Sequence, residues 1–209
     1  LAKKSGLCSD LHPVGQTVSP RQTSLVNRIG PQLDAKRPHV LAFGGGKGGV
    51  GRSTLCSEVA RSLARRDERV LCVDASWSCP ALHTLLNADE QRFPFHDDAI
   101  VALGEEGSHI ADFIEKTETD NIWLTSLAAG RQFPYFRPDL SAVGLIRQLH
   151  ALDFDWVFID LASGLDPFDV GLFALSDIPL MVTPPEPGAV RVATQFLRHA
   201  LFQSVRYHP

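Results

Sequence analysis

With 209 residues and a net charge of −4 at pH 7, the chain has room for one α/β domain with a covered core and carries too little positive charge for bulk nucleic-acid binding. No stretch reaches the roughly 18 consecutive apolar residues of a membrane-spanning helix, which excludes that class. The cysteines at 8, 56, 72 and 79 form no C-x-x-C pair.

Residues 1–37 are polar, contain Pro13, Pro20 and Pro31, and hold no sustained period, so they read as a flexible arm. A short helix over Ser24–Ile29 is the alternative there, since Leu25 and Ile29 are four apart. The opening Leu-Ala-Lys-Lys-Ser-Gly lacks the apolar centre of a secretion signal, and the leucine at position 1 suggests a fragment or a processed product.

From Pro38 onward, strand and helix signals alternate through a domain spanning 38–209. The strand candidates are His39–Phe43, Arg69–Asp74, Asn121–Ser126, Trp156–Asp160 and Ile178–Thr183. Most are short apolar runs, as expected of strands buried on both faces. Leu55, Val59 and Leu63 mark a helix after the first strand, with Arg61, Arg65 and Arg66 pointing outward. Leu140, Val143, Ile146 and Leu149 mark a second helix. A last one carries Val190, Ala193, Leu197, Ala200 and Leu201. Alternating units of this kind predict a doubly wound, mostly parallel sheet with helices on both faces, whose ligands gather at the C-terminal strand ends.

The chemistry falls at those ends. Gly44-Gly-Gly-Lys-Gly-Gly-Val-Gly-Arg-Ser-Thr54 follows the first strand directly and opens a helix. Successive backbone N–H groups in such a turn, with the helix N-terminus behind them, form an anion cradle. Gly46, Lys47, Gly48, Gly49, Val50, Gly51, Arg52 and Ser53 have the spacing of the phosphate-binding loop G-x-x-x-x-G-K-[ST], except that Arg52 stands at the lysine. In that frame Ser53 binds Mg²⁺, Thr54 reaches the α-phosphate, and Arg52 contacts the β- and γ-phosphates. A turn that only caps its helix would not need this spacing.

Asp74 closes the second strand and Asp160 closes the run Trp156-Val-Phe-Ile-Asp. Asp160, at the end of a buried strand beside a phosphate loop, suits the water shell of Mg²⁺, although alone it would be read as a helix cap. Gly164, four residues on, could offer its N–H to the γ-phosphate.

These residues resemble the MinD/ParA ATPases. Gly46–Thr54 is similar to their deviant Walker A loop, Val70–Asp74 to the strand after its helix, and Asp160–Gly164 to the Walker B and switch II region. Phe173–Asp177 and Val182-Thr-Pro-Pro-Glu-Pro187 look most like the flagellar-number regulators FlhG/FleN. The resemblance spans about residues 38–205. It implies an ATP-binding switch that dimerises across two ATP molecules, hydrolyses slowly with Mg²⁺, and regulates the placement or number of a cellular structure such as flagella. It makes Lys47 a catalytic lysine reaching the partner's nucleotide, and Asp74 the holder of a metal-side water network. It also implies a regulatory protein partner, and a cytoplasmic location extending to peripheral contact with the inner membrane.

Three departures bear on that expectation. The family commonly carries Asp-x-Asp at the end of strand two, whereas this chain reads Asp74-Ala-Ser76. Serine has no charge with which to orient the attacking water. Arg52 is the second departure. The third is the ending at Tyr207-His-Pro209, before the family's further strands. Weak ATPase activity is therefore expected, and the alternative is a pseudo-ATPase scaffold acting through protein contacts.

Weaker candidates remain. Arg191 and Arg198 could meet a membrane or DNA, against a solvated helix face. His83 could approach the phosphates, against a packing role. His96-Asp97-Asp98 lacks a fourth ligand for a metal. Tyr135 within Phe133–Pro138 could dock a partner or cover the sheet.

Overall fold

The computed structural model describes residues 37–76, 80–88, 109–127 and 141–207. The arm expected over 1–37 apart from Arg37, the alternative helix expected over Ser24–Ile29, the His96–Asp98 cluster, the Phe133–Pro138 loop and Leu140 lie outside the described residues.

The elements run β1 (His39–Gly44), α1 (Arg52–Ala64), β2 (Val70–Ala75), α2 (Leu82–Leu85), a 3₁₀ turn (Ile110–Phe113), β3 (Glu115–Lys116), β4 (Ile122–Ser126), α3 (Ala142–His150), β5 (Trp156–Leu161), α4 (Pro167–Leu175), β6 (Ile178–Met181) and α5 (Pro187–Tyr207). All five sequence-derived strands are present, within a residue or two of their expected ends. The two-residue β3, the short α2 and the helix α4 were not anticipated.

The strands form one sheet in the order β3-β4-β2-β5-β1-β6, parallel throughout except for the antiparallel pairing of β3 with β4. At this edge Glu115 and Lys116 are both exposed, and the Lys116 ammonium lies 5.8 Å from the centre of the Trp123 ring.

Strand residues alternate between two cores. Val40, Ala42, Leu71, Val73, Val157 and Ile159 face α3, α4 and α5. Leu41, Phe43, Val70, Cys72 and Phe158 face α1 and α2. This is the helix-sheet-helix layering expected of the period-free apolar runs. Phe43, Phe158 and Phe196 are fully buried, and each contributes about 2–3 kcal/mol of transfer free energy. Phe43 and Phe158 meet edge to face, with ring centres 5.4 Å apart.

One helix sits out of the phase read from the sequence, and another follows it only in part. On α1 the buried stripe is Cys56, Ser57, Ala60 and Ala64, while Leu55 is exposed and Val59 and Leu63 only border the core. On α5 the expected Ala193 and Ala200 go inward together with Ala189 and Phe196, whereas Val190, Leu197 and Leu201 face solvent. On α1 small side chains win the inner face because they let the helix axis approach the sheet closely. Among the predicted core residues of the other helix, Ile146 and Leu149 are buried on α3, together with Ala142 and Leu145.

At the end of the sheet away from the glycine loop, Arg69 forms a two-pronged pair with Asp153, at 2.9 and 2.8 Å. Arg37, at the border of the predicted arm, bonds Asp177 at 2.9 Å, and the other Asp177 oxygen accepts from the Val40 N–H. These contacts fix where β1 begins.

Candidate functional site

Register places the acids. Asp160 on β5 lies between Phe43 on β1 and Asp74 on β2, so the two carboxylates stand side by side at the strand ends. Both are buried, and both point to the α1 side by strand alternation.

The glycine loop spans the top of β1 and delivers α1. Gly51 occupies the N-cap with φ of 87°, in the left-handed region, and no side chain caps the helix. The first-turn N–H groups of a 13-residue helix are thus left to whatever sits in front of the loop. No acidic residue in that turn competes for the position. Gly46 matters for another reason: a Cβ there would come within 2.3 Å of Val192 Cγ1 on α5 and 3.0 Å of its carbonyl oxygen. The loop and the start of α5 are packed backbone against side chain. The stitch continues downward, where the Val182 N–H donates to Gly44 O at 2.9 Å.

Arg52 turns back under the loop. Its Nη1 donates to Gly45 O at 2.9 Å and to Lys47 O at 3.1 Å, whereas its Nε is buried without a hydrogen-bond partner. Burial lowers the guanidinium pKa from its ordinary value, opposed by the charges of Asp160 and Asp169. Asp169 is a buried acid in the first turn of α4, a helix opened by Asp166, whose carboxylate accepts from the Phe168 N–H at 2.9 Å.

The two aspartates differ in their partners. Asp74 accepts from the N–H of Ser76 at 3.0 Å and, on its other oxygen, from Ala81 at 2.9 Å and Leu82 at 3.0 Å. It therefore ties the end of β2 to the start of α2. Burial pushes its pKa up to about 6, and these three bonds act in the opposite direction. In Asp160, neither oxygen has a partner of ordinary hydrogen-bond geometry. Burial pushes this carboxyl to about 6 as well; the nearby Ser53 hydroxyl and Arg52 act downward, and Asp74 acts upward.

A buried carboxylate with both oxygens free, beside a serine hydroxyl, is a hard oxygen donor set suited to Mg²⁺, which takes one or two protein ligands and fills its shell with water and phosphate. The residues therefore fit the ion that the loop implies. Among the described residues there is no group of three or more His, Cys, Asp or Glu that would hold a metal by itself. A cleft of about 570 Å³ opens between the loop end and α2, lined by Gly51, Arg52, Ser53, Thr54, Ala81 and Thr84, within the usual size of small-molecule pockets.

Lys47 lies on the exposed crest of the loop, and its Nζ pairs with Glu186 Oε2 at 2.8 Å. Gly48 faces the segment after β5, where a Cβ on it would lie 3.6 Å from Ser163 Oγ. Gly164 follows in the same segment, on the way to α4. The structure thus brings Gly46–Thr54, Asp74 and Asp160 to one edge, as expected. Glu186, Asp169 and the Ala81–Leu82 amides escaped sequence reading. Glu186 is 139 residues from its partner, and no local pattern signals a contact of that span.

Comparisons with known proteins agree with this geometry. The family model described as ParA, NUBPL iron-transfer P-loop NTPase, matches residues 36–128. An uncharacterized ATP-binding protein of Methanocaldococcus jannaschii is 31% identical over 148 residues, covering 70% of this chain and 53% of that protein. The septum site-determining protein MinD of Synechocystis is 28% identical over 158 residues, covering 76% and 58%. The structure of MinD from Pyrococcus horikoshii with Mg-ADP superposes with a TM-score of 0.63 at 21% identity, covering 78% of this chain and 66% of that one. The chain spans about half the length of the curated relatives it matches. The chain is thus similar to ParA/MinD-family P-loop NTPases, and its mostly parallel sheet with helices matches the fold of MinD structures.

Proposed function

We propose that the chain is the nucleotide-binding core of a MinD/ParA-type switch that takes Mg·ATP at the Gly46–Thr54 loop, dimerises across it and hydrolyses it slowly. The single observation that carries this reading is Asp160, a buried carboxylate with both oxygens unpartnered at the foot of a phosphate loop. Leaving such a group unpaired costs free energy, so its retention points to a ligand. That one relative is named an ATP-binding protein, and that a structural neighbour holds Mg-ADP, supports the same choice.

In this reading the loop amides and the α1 N-terminus bind the phosphates, and Arg52 braces the loop from below. Ser53 and Asp160 hold the metal, which supplies positive charge at the phosphate oxygens. Lys47 serves the nucleotide of the facing subunit. Asp74 holds α2 in place beside the reacting phosphate. Ser76 stands where a carboxylate would orient the attacking water, so turnover is slow. Two arrangements of the segments after β2 and β5 would then report the nucleotide state to a regulatory protein partner in the cytoplasm. The Val182–Pro187 sequence favours the FlhG/FleN branch and hence control of flagellar placement or number.

Calorimetric titration with ATP and GTP, with and without Mg²⁺, tests the reading. Mg²⁺-dependent ATP binding that weakens in Lys47→Ala and is lost on Asp160→Asn is expected. A folded protein that binds neither nucleotide would replace the switch with a scaffold acting through protein contacts.

A further inference from the structure

The loop's most exposed cation is already engaged within its own chain. Lys47 Nζ sits 2.8 Å from Glu186 Oε2, with the two side chains 51% and 61% exposed. Glu186 is the residue from which α5 starts, since its carbonyl oxygen accepts from the Val190 N–H at 2.9 Å. It belongs to a segment held against the loop at both ends, by Val182 on Gly44 and by Val192 on Gly46. The carboxylate is therefore presented to Lys47 by a braced frame. Lys47 in turn holds the Glu186 carboxyl below the usual carboxylate range, through the hydrogen bond first and its charge second.

We propose that Glu186 is a positioning residue for Lys47: its carboxylate occupies the ammonium in place of a phosphate, so that nucleotide must displace it, and its release frees the start of α5. The proposal rests on the nucleotide-switch reading above and adds to it an internal competitor. The energetics suit that task. A solvent-exposed pair is weak and screened, so a polyphosphate with several charges and the loop amides behind it outcompetes a single carboxylate. A buried pair in this place would lock the loop shut. The same frame gives the displacement a destination. Once Lys47 has moved to phosphate, Glu186 is an unpaired acid at a helix N-terminus, where it is favourably placed for the dipole and available to a basic group on another chain.

Two measurements test this. In the nucleotide-free chain, ¹³C NMR titration of the Glu186 carboxyl should give a depressed midpoint that returns to the ordinary glutamate range in Lys47→Gln. An unchanged midpoint in that variant overturns the clasp, whatever nucleotide does. In calorimetry with Mg·ATP, Glu186→Gln should tighten binding by about threefold or more, the scale of an exposed ion pair, and should have no effect in a Lys47→Gln background. An equal gain in both backgrounds would show a distant charge effect and overturn the competition. A wild-type chain that shows the clasp and binds no ATP overturns the switch reading, and the competitor role with it.

Discussion

Asp74 and Asp160 face each other across β2 and β5 in direct register, yet one carboxylate accepts three backbone N–H bonds and the other accepts none. Two acids at one strand edge thus divide the work. Asp74 is spent on the architecture of the segment after β2, and Asp160 is left open.

The open acid is a liability without a ligand. Its carboxyl titrates at about 6 in the folded chain against an ordinary value of 3.8, so the fold prefers it protonated. That preference is fully expressed below pH 4 and is lost as pH rises through 6. Asp160→Asn should therefore stabilise the nucleotide-free protein at pH 8 by up to about 3 kcal/mol and leave it unchanged near pH 3.5. The same variant should lose Mg²⁺-dependent ATP binding. Thermal melts at the two pH values and calorimetry check both halves.

Arg52 holds the loop through the carbonyls of Gly45 and Lys47. Arg52→Ala strands both acceptors and should cost about 1–3 kcal/mol of stability, along with a tenfold or larger loss of ATP affinity. Arg52→Lys keeps a donor and a charge at the end of a similar stem, and is expected to retain binding. Melting temperature and calorimetry on the two variants separate the brace from the charge; equal damage in both would show that the planar fork itself is required.

Gly46 is held to glycine by Val192. Gly46→Ala places a methyl inside the Val192 side chain, and the resulting shift should cost about 1–3 kcal/mol. Val192→Ala in the same chain removes the nearer clash at Cγ1, while the carbonyl contact at 3.0 Å remains, so stability should return only in part. Denaturant unfolding of the single and double variants measures the difference.

Ser76 begins the segment that Asp74 anchors. Ser76→Asp should raise steady-state phosphate release at least tenfold, a barrier change of about 1.4 kcal/mol, if a missing carboxylate limits turnover. An unchanged rate would assign slow turnover to another group.

The sequence made the loop, the two acids and the five long strands legible because each is a local pattern: a fixed spacing, or an apolar run ending in a charge. Phase on α1 and α5 was not legible in the same way. On α1 Leu55 is more apolar than Ala60, and the periodic rule follows apolarity, whereas the fold turned the smaller side chains inward; on α5 Ala193 and Ala200 are buried as read, but Phe196 takes the inner face and Val190, Leu197 and Leu201 do not. Lys47–Glu186 and Gly46–Val192 were hidden by sequence distance. Asp74 carried a water-network reading; the structure gives it backbone partners at α2, which the residue alone could not name.

The far margin of the sheet has a consequence for the chain before it is fully assembled. A parallel sheet forms late and leaves its flanks open to strands from other molecules. Among the described residues β3 ends the ladder after two residues, both charged and solvated, with the lysine folded over Trp123. A flank this short offers a neighbour almost no backbone to pair with, and the ammonium must be buried by any strand that tries. Lys116 and Glu115 thus act as gatekeepers against polymerisation through this margin, a protection independent of nucleotide.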